Sequence, residues 1–263
     1  MDWRRWPDLY IQRVSDEMRV NLIQMEVGNR VEDNLGRAGE MIDRSFESFA
    51  PDFVCLPEYF STPTLSKPRE EIFDEVYEPT ISFLRAKSKE LGIYIIGGSV
   101  LEKDGDDFYN TSFLFKNGEL LGKYRKINLT ELERLKLKKG GKCFVYDTGY
   151  VKIGILICAD ILSPKIVKTV ASMGAEAIFL PISLPSEDHP STQGHPASVA
   201  MARANSLFIL KNGCVGSSSR GKRTGSRSAI VSPWGIVKEA REENTEEIVS
   251  ADLDLEKLRN EAK

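Results

Sequence analysis

The chain has 263 residues, a length that allows one or two domains and a sizeable buried core. Its 36 Lys and Arg against 39 Asp and Glu leave a formal net charge of −3, so there is no global basic field for nucleic acid or anionic lipid. Apolar residues at 41% and charged residues at 29% fit a globular chain, and two histidines are too few for a His-rich metal centre. In chain order, Arg19–Met25 alternates like a strand and is followed by a helical pattern from Asp33 to Phe49. Phe53–Leu56 reads as a buried strand ending at Pro57, Tyr77–Leu91 as a helix, and Ile93–Ile96 as a strand stopped by Gly97-Gly98. Thr111–Phe115 and Leu120–Tyr124 flank Asn117-Gly118, a hairpin signal that predicts a mixed sheet. Val151–Ile157 is a very apolar strand leading to Cys158, then a helix at Ile161–Ser172 and a strand at Ala177–Leu180. A long loop, Leu184–Pro196, precedes a helix at Ala197–Ser206. Strands at Leu207–Leu210, Ser228–Val231, Ile236–Glu239 and Ile248–Ala251 complete an α/β layered pattern.

No repeat or linker interrupts this pattern, so residues 17–263 are expected to form a single domain behind an N-terminal extension, residues 1–16. Arg4 and Arg5 lie between Trp3 and Trp6 with no continuous apolar run after them, so no secretory leader is expected. No apolar run reaches the roughly 18 residues of a membrane span. Cys55, Cys143, Cys158 and Cys214 form no CxxC pair, and a reducing cytoplasm is the expected compartment.

Three polar residues stand at the ends of apolar runs, where open α/β sheets usually bind ligands: Glu58, Lys126 and Cys158. Each has two readings. Cys158 either packs as a buried small residue or acts as a nucleophile whose thiolate a helix N-terminus favours. Glu58 either caps a strand end in solvent or is a base with a raised pKa. Lys126 belongs either to a solvated basic run, Lys123–Lys126, or to a site. Cys55, Cys143 and Cys214 read as structural. His189 and His195 read as solvent-exposed loop residues in preference to substrate contacts, and two loop histidines do not make a zinc site.

Taken together, LPEYF around Glu58, YRKINL around Lys126 and ICADILSP around Cys158 resemble the Glu-Lys-Cys triad of the nitrilase, or carbon–nitrogen hydrolase, superfamily. The resemblance runs from about Arg19 to Leu255 and includes Gly97-Gly98, Tyr109–Ser112, Gly174-Ala175, Asn205, Asn212 and Ser228–Gly235. It implies a four-layer α-β-β-α sandwich with mixed sheets. The implied reaction is hydrolysis of a non-peptide C–N bond in a small amide through a thioester on Cys158. Glu58 would be the base, Lys126 an oxyanion donor, and Glu133, seven residues before Gly140, a further carboxylate, with Arg134 the alternative at that position if the loop is displaced by one residue. Ala159, Pro181 and Ser183 are the implied substrate contacts. No cofactor or metal is implied, and a homodimer or higher homo-oligomer is expected by analogy. Nitrile or N-carbamoyl hydrolysis, a Cys158–His pairing, and a catalytically degenerate binding or scaffold protein are the alternatives. The departures from the family pattern are Ala159 for an aromatic residue, Asn128 for His, and Leu162, Lys165, Met201 and Ala204 at positions often charged in other ways. They predict a less aromatic pocket that lacks the usual supporting ion pairs.

Overall fold

A computed structural model describes residues 16–62, 67–184, 195–217 and 223–261. Strand β1 (Glu17–Val27) and strand β2 (Phe53–Cys55) lie side by side in parallel, and each is apolar on both faces. Their side chains alternate, as the two-residue pleat requires. Val20, Leu22, Phe53 and Cys55 enter one core, while Ile23, Met25 and Val54 enter another. The second core is closed by α1 (Val31–Phe49) and α2 (Arg69–Leu91), which pack on the outer face of this sheet. In α2 the buried residues Ile72, Val76, Thr80, Leu84 and Ser88 recur every four positions and define its inward face.

The chain then adds β3 (Tyr94–Ile96), β4 (Val100–Asp104), β5 (Asp107–Lys116) and β6 (Glu119–Arg125). β5 and β6 form the hairpin around Asn117-Gly118, with both residues at positive φ. After the short helix α3 (Glu131–Arg134) come β7 (Val145–Asp147) and β8 (Lys152–Ile155), then a 3-10 turn at Cys158–Leu162 and α4 (Pro164–Ser172). β9 (Ala177–Pro181), α5 (Pro196–Asn205) and β10 (Phe208–Asn212) follow. The remaining elements are β11 (Cys214–Ser217), β12 (Arg223–Gly225), β13 (Ala229–Ser232), β14 (Gly235–Glu239), β15 (Glu247–Asp254) and α6 (Leu255–Glu261).

Among the described residues the strands form two mixed sheets. The first has the order β12-β11-β1-β2-β3-β5-β4, with β15 also paired to β1 and β6 to β5; the second runs β14-β13-β10-β9-β8-β7. The sheets stack face to face through contacts such as Phe53 against Phe179, whose ring centroids are 5.5 Å apart. Helices α4 and α5 cover the far face of the second sheet. The expected four-layer α-β-β-α arrangement is therefore the one observed.

Some boundaries differ from the sequence reading. α2 starts at Arg69 instead of Tyr77, because Glu70 and Glu71 complement the helix N-terminus and Ile72 and Val76 extend its apolar face. The apolar run Val151–Ile157 is strand only over β8. Its last two residues lead into the tight turn at Cys158, which delays the regular helix to Pro164. β4, β7, β11 and β12 carry too few apolar alternations to stand out in isolation and exist through their pairing. No helix of the described residues is long and apolar enough to cross a membrane. His189, most of the loop after Leu184 and residues 1–15 lie outside the described residues.

Candidate active site

Each polar side chain singled out above is held by a specific local device. Glu58 leaves β2 through Leu56 and Pro57, and the Leu56 N–H donates to the Ile96 carbonyl at 3.0 Å. Gly98 lies against this turn at φ +51, where a Cβ would come within 2.0 Å of the Pro57 carbonyl oxygen. Tyr59, next to Glu58, has φ 55, a left-handed conformation that costs a non-glycine residue free energy and is common at functional sites. Lys126 follows β6; its N–H donates to the Asn110 carbonyl at 2.9 Å and its carbonyl accepts from Gly140 at 2.7 Å. Glu133 is fixed by a capping box on α3, with Thr130 N–H donating to its Oε2 at 2.9 Å.

Cys158 occupies the first position of the 3-10 turn with φ 48, a second strained residue at the site. Asp160 ties this turn down. Its Oδ2 accepts from Tyr124 Oη and from the Ile157 N–H, both at 2.9 Å, and its Oδ1 accepts from the Asn128 N–H at 2.7 Å. Asn128 Nδ2 in turn donates to the Ala159 carbonyl at 2.7 Å, so an amide donor links the Lys126 segment to the cysteine turn.

These devices bring residues distant in sequence to one point. Lys126 Nζ, 2% exposed, donates to Glu58 Oε1 at 2.8 Å and to Glu133 at 2.9 Å. Asn110 Nδ2 also bridges both carboxylates, at 2.9 Å to Glu58 and 3.0 Å to Glu133. The Ser183 N–H donates to the other Glu58 oxygen, Oε2, at 2.9 Å. The Cys158 thiol faces the same carboxyl group, close enough that each group shifts the other's titration. Glu58, only 3% exposed, is thus oriented by three donors, Lys126, Asn110 and the Ser183 N–H.

The electrostatics follow from burial and from this packing. Burial raises the Glu58 pKa, against the Lys126 ammonium, while the neighbouring Glu133 adds to the rise. Burial also works against ionised Glu133, but Lys126, the Thr130 N–H and Asn110 outweigh it and hold that carboxyl low. Lys126 is buried too, yet Glu58, Cys158 and Glu133 keep it protonated well above its ordinary range. Burial and then the Glu58 charge push the Cys158 thiol far up, with Lys126 opposing. The resting cysteine is therefore a neutral thiol facing Glu58. This corrects the expectation that the turn's N-terminus would favour a thiolate: desolvation and the facing carboxylate outweigh one short turn of backbone dipoles.

A cavity of about 270 Å³ opens beside Cys158 and Ala159, between the 3-10 turn, β9 and the start of α5. Its walls include Leu162, Leu180, Ile182, Lys211 and His195. Ala159 lines it, whereas Ser183 serves Glu58 through its backbone, and Pro181 is buried in β9 beside Asn212. Leu162 presents an apolar surface to the cavity and to solvent. The reading of His195 as a solvent-exposed loop residue is overturned. It is 5% exposed, with Nε2 3.0 Å from Glu239 Oε2 and Nδ1 3.1 Å from Lys211 Nζ. It stands at the N-cap of α5 against β10 and β14, so folding buries a position that looks like loop in the sequence. Both its ring nitrogens are engaged away from Cys158, whose thiol meets Glu58 instead.

Sequence reasoning assigned no role to Asn110, Lys211 or the burial of His195. A polar Asn inside the apolar strand DFYNTSFLF and a Lys inside FILKN are the signals that could have drawn attention to the first two. Cys214 is buried, with its Sγ 3.3 Å from Ser183 Oγ; Cys55 is buried in β2 and Cys143 is partly buried against the inter-sheet core.

Comparison with known proteins gives concordant matches. The carbon–nitrogen hydrolase family model matches residues 19–263. The chain is 31% identical over 255 residues to the omega-amidase NIT2-B of Xenopus laevis, covering 92% of this chain and 90% of that protein. It is 32% identical over 232 residues to a nitrilase of Pyrococcus abyssi, covering 86% of each. It is also 30% identical over 245 residues to the 2-oxoglutaramate amidase of Bacillus subtilis, covering 90% and 91%. Among solved structures, Saccharomyces cerevisiae Nit3, a member of branch 10 of the nitrilase superfamily, superposes with a TM-score of 0.83 at 28% identity, covering 93% of both chains. An amidase from Nesterenkonia sp. shares the fold with a TM-score of 0.83 at 22% identity, covering 95% of both.

Proposed function

This chain belongs to the carbon–nitrogen hydrolase family and is an enzyme of the amidase/nitrilase type, and from that premise we propose that it hydrolyses a small carboxamide through a thioester on Cys158. The observation that carries the reading is the convergence on Glu58 of the Cys158 thiol and of Lys126 Nζ, 2.8 Å away, with Lys126 also held by Glu133 at 2.9 Å.

In this reading Glu58 accepts the thiol proton as sulfur attacks the amide carbon, so no thiolate need exist beforehand. The C=O electrons move onto oxygen, where the Lys126 ammonium and the Ala159 N–H stabilise the charge. The proton on Glu58 passes to the departing nitrogen, the C–N bond breaks, and ammonia leaves an acyl thioester. Glu58 then takes a proton from water, hydroxide attacks the thioester carbon, and the proton returns to sulfur as the acid departs. Glu133 and Asn110 act as positioning residues that keep Lys126 and Glu58 in register. Two of the relatives above are named for amide substrates, which supports an amide in preference to a nitrile or an N-carbamoyl compound.

The test is a panel of short amides, nitriles and N-carbamoyl compounds, scored by ammonia release and by intact mass. An acyl adduct on Cys158 is expected with amides. Glu58→Gln should lower turnover by about 10²–10⁴-fold, and Cys158→Ala should form no adduct. Turnover that survives both substitutions, or a protein that never acquires an adduct, would refute the reading, the latter in favour of a binding or scaffold role.

A further inference from the structure

Two adjacent cations, Arg125 and Lys126, point to opposite sides of the first sheet, and a buried carboxylate away from the cavity sorts them. Glu102, on β4, is 3% exposed. Its side chain reaches diagonally across β5 to β6 and takes four hydrogen bonds. Oε2 accepts from Arg125 Nε at 2.9 Å and from Thr111 Oγ1 at 2.7 Å, and Oε1 accepts from Arg125 Nη2 at 2.9 Å and from Lys123 Nζ. The Arg125 guanidinium also lies 3.8 Å from the centroid of the Tyr109 ring and pairs with Asp104 at the surface, 2.8 Å away. Burial works against an ionised Glu102, but Arg125, Lys123 and Thr111 outweigh it and hold the carboxyl below its ordinary range.

Thr111 pairs with Arg125, and one residue along each strand the Lys126 N–H donates to the Asn110 carbonyl at 2.9 Å. Asn110 and Lys126 therefore present the other side, where both donate to Glu58 and to Glu133. The Asn117-Gly118 turn does not set this register alone. Pairing jumps from Phe115–Leu120 to Leu114–Gly122, which leaves Leu121 as an extra residue in β6. A slip of one residue past that bulge would turn Lys126 away from the site and Arg125 into it. Glu102 grips Arg125 past the bulge, at the site end of the hairpin. A buried ion pair is a costly way to stabilise a sheet, and fixing a register is the best-attested use of one. Glu102, Asp104, Lys123 and Arg125 carry charges that cancel, so the cluster acts on the site through geometry and not through a field.

We propose that Glu102 is a positioning residue of this enzyme: by holding Arg125 and Thr111 on one face of β5 and β6, it aims Lys126 and Asn110 from the other face at Glu58. This role rests on the amidase reading and deepens it with a residue that touches neither substrate nor the reacting atoms.

Glu102→Gln keeps the shape of the side chain and removes the charge that holds Arg125. With propanamide as substrate, kcat should fall by about 30–100-fold, the scale of a displacement of about 1 Å at a catalytic group, while KM changes little. As Lys126 draws back, Glu58 loses the neighbour that opposes its raised pKa, so the acid limb of kcat/KM should move to higher pH. The other titratable groups around Glu58, namely Glu133, Cys158 and Tyr59, are untouched by the substitution. Glu102→Asp, which keeps the charge, should recover activity over Glu102→Gln. Asp104→Asn removes only the exposed partner of Arg125 and should leave kcat within about twofold of wild type. Thr111→Val removes one donor without unpairing a charge, so it serves if Glu102→Gln folds poorly, and it should move the same limb in the same direction. Variants that melt earlier yet keep the wild-type kcat per folded molecule and the wild-type acid limb would overturn the role. An Asp104→Asn loss equal to that of Glu102→Gln would do the same. A measurement without turnover separates this role from the amidase reading: the rate of Cys158 alkylation by iodoacetamide against pH, read by peptide mass. Glu58 takes the thiol proton there too, so the alkylation limb should also shift in Glu102→Gln. Amide hydrolysis by wild type with neither limb moved leaves the amidase standing and removes Glu102. A moved alkylation limb without turnover of any amide does the reverse.

Discussion

Lys126→Met tests whether one buried cation holds the site together. In the folded protein Lys126 Nζ lies 2.8 Å from Glu58 and 2.9 Å from Glu133, and none of the three side chains is more than 13% exposed. Methionine fills much the same volume, so the substitution removes charge and hydrogen bonds more than packing. Two buried carboxylates are then left facing each other. Removing one partner of a buried ion pair costs about 3–5 kcal/mol, and in a chain of this size that corresponds to a drop in Tm of about 10 °C. The pH dependence gives the sharper criterion. Without Lys126 both carboxyls bind protons more tightly in the folded state than in the unfolded chain. Stability of the variant relative to wild type must then fall as pH rises through the carboxyl range and beyond, because deprotonation now opposes folding. Each tenfold gain in a carboxyl's proton affinity on folding is worth about 1.4 kcal/mol above its folded pKa. Chemical denaturation of both proteins at about pH 5 and pH 8 measures this difference. A deficit that is the same at both pH values would show that Lys126 stabilises by packing alone, and the electrostatic account of the site would fall.

Other consequences can be checked directly. Because burial and Glu58 push the Cys158 thiol up, the ultraviolet thiolate absorbance of wild type minus Cys158→Ala should stay flat between about pH 6 and 9; a rise in that window would mean a preformed thiolate. Gly98→Ala places a methyl 2.0 Å from the Pro57 carbonyl at a backbone φ of +51. It should cost about 2–4 kcal/mol in unfolding free energy and reduce turnover by displacing Glu58, so a fully stable, fully active variant would contradict the turn's role.

How much of this was legible in the sequence differs from residue to residue. Strands such as β1 and β2 declare themselves because apolar residues on both faces satisfy two cores at once, a demand met only by a sheet sandwiched between layers. Glu58, Lys126 and Cys158 stood out because a polar residue ending an apolar run breaks a pattern that packing alone would continue. Glu133 is implied only by the family resemblance, in which such a Glu precedes a glycine by seven residues, and the structure supplies a physical counterpart to that spacing: a Cβ at Gly140 would meet the Arg125 carbonyl at 2.0 Å, so the loop can close onto Lys126 only with glycine there. The short strands β4 and β7 were invisible because their stability lies in partners remote along the chain.

What the sequence by itself determined, then, was the layered α/β pattern and the kinds of side chain available at its strand ends. The tertiary structure alone decided which of them meet. Lys126 and Glu58 are 68 residues apart, and Ser183 reaches Glu58 across 125. It also decided their protonation, because the raised thiol and the held-down Glu133 depend on desolvation and neighbours that exist only once the sheets have stacked. His195 shows the same limit: a loop histidine in the sequence, it becomes a neutral buried link between Lys211 and Glu239 because α5 begins against β10 and β14. Local pattern reports what a residue can do, and long-range packing sets its dielectric and its partners.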